Sequence, residues 1–164
     1  MHREQPEDFE TFAKRVTPLQ GRLFADFTEW ERDTYRKAHH NLHGSPEAVI
    51  SLARAVEHVV RQDTPGALVG CGVYMGDNIE VMIRTLNRHY VNTREIYLYD
   101  TFYSSTRHEL MYLYPKLSSK DILIIDDYGA MPGAKKATDQ YLLANGLSLF
   151  LGRVDSHVRL LIKP

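Results

Sequence analysis

Three short apolar runs constrain this 164-residue chain more than any other feature: "ALVGC" at 67–71, "EIYLYD" at 95–100 and "DILIID" at 121–126. Each has the length of a buried strand and is too short for a helix. A segment with helical periodicity follows each one, and another precedes the first. Strands alternating with helices form parallel sheets, because the return crossover needs a helix laid against the sheet. The last apolar runs, "LSLFLG" at 147–152 and "HVRLLIK" at 157–163, are separated by a short polar link and read as an antiparallel pair. The expected fold is α/β: a mostly parallel sheet, helices on both faces and an antiparallel C-terminal strand pair.

The helices carry their own start and stop signals. In "SPEAVISLARAVEHVVRQ", Ser45 suits the N-cap, Pro46 the first turn and Glu47 the positive end of the helix dipole. Val49, Leu52, Ala53, Val56, Val59 and Val60 mark its apolar face, and "TPG" ends it. "NIEVMIRTLNRHY" places Ile79, Met82, Ile83 and Leu86 on one side, and "TRHELMYLYPKL" does the same with Leu110, Leu113, Tyr114 and Leu117. In "PGAKKATDQYLLANG", Gly146 provides the stop. Residues 1–44 are highly charged, with scattered aromatics, and read as an N-terminal helical and partly flexible segment before a domain at 45–164. His39, His40 and His43 fall in a polar stretch that reads as a loop rather than a metal site.

Composition narrows the function classes. A formal charge of −1 gives no field for nucleic acid. One cysteine, Cys71, excludes an internal disulfide and a cysteine-rich zinc site. The polar N-terminus is unlike a signal peptide, and no apolar run nears the roughly 20 residues of a membrane span. A soluble, cytoplasmic protein is expected.

The strand ends hold the candidate chemistry, since ligands of such sheets bind beyond the carboxyl ends of the strands. "GCGVYMG" spaces Gly70, Gly72 and Gly76 as G-x-G-x-x-x-G. Glycines there let a ligand approach the backbone in front of free helix N–H groups, or simply make a tight turn. The spacing suits a nucleoside better than a cradled pyrophosphate. Asp100 lies 24 residues past the last of these glycines, where an acid can accept both ribose hydroxyls or cap the next turn. Asp126 and Asp127 are adjacent acids at the end of a buried strand. They repel one another, and could chelate a hard cation such as Mg2+ or face solvent.

Taken together, "SPEAVISLARAVEHVV", "PGALVGCGVYMGDN", "IYLYDTF", "STRHELMYLYPKLSSKDILIIDDYG" and "PGAKKATDQYL" resemble the macrocin-type (TylF-like) sugar O-methyltransferases of antibiotic biosynthesis, a family of class I S-adenosylmethionine-dependent enzymes. The resemblance spans roughly 45–145 and implies a Rossmann-like methyltransferase fold. It implies S-adenosyl-L-methionine bound at Gly70, Gly72, Tyr74 and Gly76, with Asp100 on its ribose. It further implies Mg2+ held by Asp126 and Asp127, with Asp126 catalytic, and a sugar-bearing natural product as substrate.

Two departures stand out. Gly70 occupies a place where the family carries an acid. "LYDTF" also runs directly into "YSSTRHEL", where the family continues through further strands, one bearing another metal-binding aspartate. The fold is thus expected in a shortened form. Either the "EIYLYD" strand lies outside "ALVGC", giving the order 2-1-5 with "DILIID" on the other side, or it lies between the two. Exposed sheet edges would favour a homo-oligomer. The alternative to an enzyme is a catalytically impaired remnant acting as a binding or partner protein.

Overall fold

The computed structural model describes residues 26–38, 45–71, 76–99 and 106–164. His39, His40, His43, Gly72, Tyr74 and Asp100 lie outside them. In chain order the elements are α1 (Glu29–Ala38), α2 (Pro46–Arg61), β1 (Leu68–Cys71), α3 (Asp77–Arg88), β2 (Ile96–Tyr99), α4 (Thr106–Leu113), β3 (Ile122–Ile125), α5 (Pro132–Ala144), β4 (Gly152–Arg153) and β5 (Arg159–Ile162). Short 3-10 turns follow α4 at Tyr114–Lys116 and β3 at Asp126–Gly129. The chain is α/β as its alternation predicts.

Helix α2 starts where its cap dictates: Ser45 is extended, with ψ 156, and its Oγ accepts the Ala48 N–H at 3.1 Å. It ends one turn before "TPG". Asp63 turns into the left-handed region (φ 49), and the Thr64 N–H reaches back to Val59 O at 3.0 Å. Ile50 and Ala55 are buried as well as Val49, Ala53, Val56 and Val59, because α2 packs against both α1 and α3. One apolar cluster joins these three helices through Phe27, Tyr35, Val49, Ile50, Ala53 and Val81. A second, around Val56, Ile79, Met82 and Leu86, seats α2 and α3 on Leu68 and Ile96 of the strands. Ile83 was expected inside but is 45% exposed, and Val81 is fully buried instead. The helix is rotated to serve α1 as well as the sheet.

Strands β1 and β2 pair in parallel, Leu68 with Ile96 through Cys71 with Tyr99, with α3 as the crossover. Arg94 fastens the lead-in to β1, donating to Gly66 O and Thr64 O at 2.8 Å each. β3 does not join this pair. It pairs antiparallel with β5, Ile122 with Ile162 through Ile125 with Arg159, and β4 pairs with β5's other edge. The order 2-1-5 is therefore not formed, nor is the alternative with "EIYLYD" in the middle, since among the described residues β2 pairs with β1 and not with β3. Among the described residues parallel pairing is confined to β1–β2. Among the described residues nothing pairs with the second edge of β1 or the outer edge of β3. The cost shows in exposure: Val69 is 40% exposed, where a central strand would be covered on both faces. "LSLFLG" forms a strand only at its last residue, and Phe150 is 88% exposed.

Helices α4 and α5 pack on each other, and Leu110, Tyr114, Leu142 and Leu161 are buried in their part of the molecule. Helix α5 stops as its sequence predicts. Gly146 is left-handed (φ 63), and the Leu147 N–H caps Leu142 O at 2.9 Å. Lys163 ties the last strand to the end of α4, donating to Tyr114 O at 3.1 Å and Leu117 O at 2.5 Å.

Candidate active site at the strand ends

Parallel pairing carries Gly70 and Leu98 into register, so the C-terminal ends of β1 and β2 lie at one edge. Gly76, the N-cap of α3, has φ 88, a conformation glycine adopts without strain. It is followed directly by α3, whose first turn has no side-chain cap and carries Asp77 and Glu80. Helix α2 enters β1 through a short connection and so runs back toward this edge at its N-terminus. Ser45, at that N-terminus, donates from its Oγ to Asp155 Oδ2. Asp155 lies in the link before β5, whose first residue, Arg159, pairs with Ile125 at the end of β3. This chain of contacts brings the end of β3 to the side of the molecule where α2 begins.

Asp126 and Asp127 open the 3-10 turn at that end. Among the described residues no side chain donates a hydrogen bond or forms an ion pair to either carboxylate. Asp126 is exposed as a residue, but partial desolvation of its carboxyl, then the charges of Asp127 and Asp155, push it above the usual aspartate range, and His157 opposes them only in part. Asp155 behaves oppositely. Burial would raise it, but hydrogen bonds from Ser45 and from the Val158 and His157 amides hold it below its ordinary value. The pair is thus an acidic site that no ion pair neutralises among the described residues, a setting in which a bound cation relieves repulsion.

Two carboxylates fit Mg2+ in kind, since it takes oxygen ligands and keeps several waters. Among the described residues no group of three or more acidic, histidine or cysteine side chains is arranged to hold a metal. Asp126 and Asp127 would supply two oxygens, leaving the rest to water or substrate.

Tyr128 is locked beside them. Its hydroxyl donates to Asp139 Oδ1 at 2.7 Å, and Lys135 Nζ and the Arg159 guanidinium each lie 5.3 Å from its ring. Sequence reasoning passed over Asp155. The signal was present as "VDSHV" between two apolar runs, where an aspartate commonly bonds backbone amides of its own turn.

Among the described residues no helix is long and apolar enough to cross a membrane. No curated protein matches the chain. The solved structure described as "Structure of the O-methyltransferase NovP" is similar with a TM-score of 0.70 over 76% of this chain and 84% of that one, at 19% identity. The likeness is one of fold. The family model "Macrocin-O-methyltransferase (TylF)" matches residues 29–104 and 101–160. Its two stretches meet where "LYDTF" passes into "YSSTRHEL", the junction at which the sequence reads as shortened. With nearly all of the described chain matched, this protein belongs to the macrocin O-methyltransferase family.

Proposed function

We propose that the protein is an S-adenosylmethionine-dependent O-methyltransferase, assisted by a divalent cation, acting on a hydroxyl of a sugar-bearing natural product. The observation that carries the reading is the Asp126–Asp127 pair at the end of β3, which has no ion-pair partner among the described residues, in a chain of this family. The turn from β1 through Gly70, Gly72, Tyr74 and Gly76 would hold the cofactor, with Asp100 on its ribose. A cation at the pair would orient neighbouring hydroxyls and lower the pKa of the one to be methylated. Asp126, whose carboxyl is raised above the ordinary aspartate range, would take part in handling that proton. Most of the acceleration would come from aligning the hydroxyl with the methyl sulfonium.

The test is calorimetric binding of S-adenosylhomocysteine to the protein with and without Mg2+, repeated on Asp126→Asn with Asp127→Asn. Binding of the ligand with a Mg2+ response lost in the double variant is expected. A second reading, a binding or partner protein without catalysis, is favoured by the open second edge of β1 and the absence of a third carboxylate ligand among the described residues. It predicts no binding at millimolar ligand, and that result would sink the cofactor assignment.

A further inference from the structure

The turn that presents Asp126 and Asp127 is held from outside. The Gly129 N–H donates to His157 O at 2.7 Å. A Cβ on Gly129 would lie 1.9 Å from Ser156 O and 3.1 Å from His157 Cα, so the two backbones are in direct contact. The acidic turn therefore rests on residues 156–157 of the link between β4 and β5.

That link is shaped by one side chain. Asp155 Oδ1 accepts the N–H groups of His157 and Val158 at 2.7 Å each. Its backbone carbonyl accepts Arg153 Nε of β4 at 3.0 Å and Arg159 Nη1 of β5 at 3.1 Å. A tight turn needs no more than this. The second carboxylate oxygen goes elsewhere, to the hydroxyl of Ser45, which also caps α2. One residue thus joins both strands of the link, the acidic turn and the helix leading into β1.

We propose that Asp155 is a positioning residue for the Asp126–Asp127 pair: it folds the β4–β5 link onto the acidic turn and refers that turn to the N-terminus of α2. The proposal rests on the reading of the pair as the cation site. The oxygens of Asp155 are bonded to Ser45 and two amides, so beyond the charge it exerts on Asp126 its effect on the pair is one of position. Its influence passes through the contact between Gly129 and His157. Outer partners of metal ligands commonly carry about ten- to a hundredfold of the affinity.

The experiment compares the wild type with Asp155→Ala and Asp155→Asn by two readouts. Mn2+ binding is followed by electron paramagnetic resonance, and exchange of the Gly129 amide by NMR. Asparagine keeps an oxygen for the two amides, and alanine keeps none. Asp155→Ala is expected to lose about tenfold or more in both Mn2+ affinity and Gly129 protection. Asp155→Asn should stay within about threefold of wild type in both. Equal weakening in the two variants would overturn the proposal, since charge and not position would then be at work. Unchanged Gly129 protection in Asp155→Ala would also overturn it, as would lost protection with unchanged affinity. If the wild type itself binds no Mn2+, the cation reading fails on that result, and the proposal falls with it. Should Asp155→Ala not fold, Ser45→Gly replaces it, because glycine is a fair N-cap and only the hydroxyl is lost. A drop in both readouts is then expected, and wild-type values would overturn the proposal.

Discussion

Gly129→Ala tests the contact on which the site's geometry depends. The residue does not have a positive φ, so alanine suits its backbone and the penalty is purely one of space. The new methyl would sit 1.9 Å from Ser156 O and 2.9 Å from Ser156 C. Both neighbours are backbone, so no side chain can swing away. The turn and the link must part by roughly 1 Å or more to restore ordinary contact. The Gly129–His157 hydrogen bond, 2.7 Å long, would then stretch beyond useful length. Overpacking of this kind costs about 1–3 kcal/mol and the lost bond about 1 kcal/mol more. The sum, about 2–4 kcal/mol, corresponds to a fall in Tm of roughly 5–15 °C for a chain of this size. Urea unfolding followed by circular dichroism measures it, with Gly133→Ala as control. Nothing lies within 4 Å of a Cβ there, and the position is in the first turn of α5. That change should stabilise by about 0.4–1 kcal/mol. A Gly129→Ala protein within about 0.5 kcal/mol of wild type would refute the steric argument, since surface changes alone stay within that range.

Asp126→Asn should raise stability at neutral pH. Its folded pKa is raised, so ionisation opposes folding, and the wild type gains stability as pH falls through that value toward the ordinary aspartate value. A variant less stable than wild type at pH 7 in thermal melts would contradict this. Glu31, buried and bonded to Arg54 and to Thr28, is lowered despite the opposing effect of burial. Its contribution is complete above the ordinary glutamate value and lost as pH falls through the folded one, so Glu31→Gln should remove part of the acid-limb loss of stability. An acid titration of unfolding identical to wild type would argue against the ion pair with Arg54. Leu161→Ala, at a residue 2% exposed on the central strand of the β3–β5–β4 sheet, should cost about 2–5 kcal/mol in urea unfolding. A loss under about 1 kcal/mol would place that strand outside the core.

Much of the fold is legible in the residues because local signals agree. Ser45, Pro46 and the apolar stripe of α2 all specify the same helix, and Gly146 specifies the end of α5. Where a side chain answers to a third element, local periodicity misleads. Val81 is buried and Ile83 is not, because α1 claims a flank of α3 that no pattern within α3 announces. "LSLFLG" looks like a strand by composition, yet it pairs only at Gly152, where β5 offers a partner. Asp126 and Asp127 stand out in the sequence because adjacent acids after four apolar residues are costly without a use. Asp155 does not, since its role depends on Ser45, 110 residues away.

The sequence alone determined the alternation of strand and helix, the caps, the family and the acidic pair, all of which are written in neighbouring residues. Tertiary structure decided the strand order. Pairing depends on which edges meet in space, and with β1 and β3 unpaired to each other the parallel sheet has two strands among the described residues. It also decided what steadies the acidic pair: a glycine with no room for a methyl, pressed on a link that Asp155 folds. Hydrogen bonds between distant segments carry that arrangement, and only the folded chain brings their partners within reach.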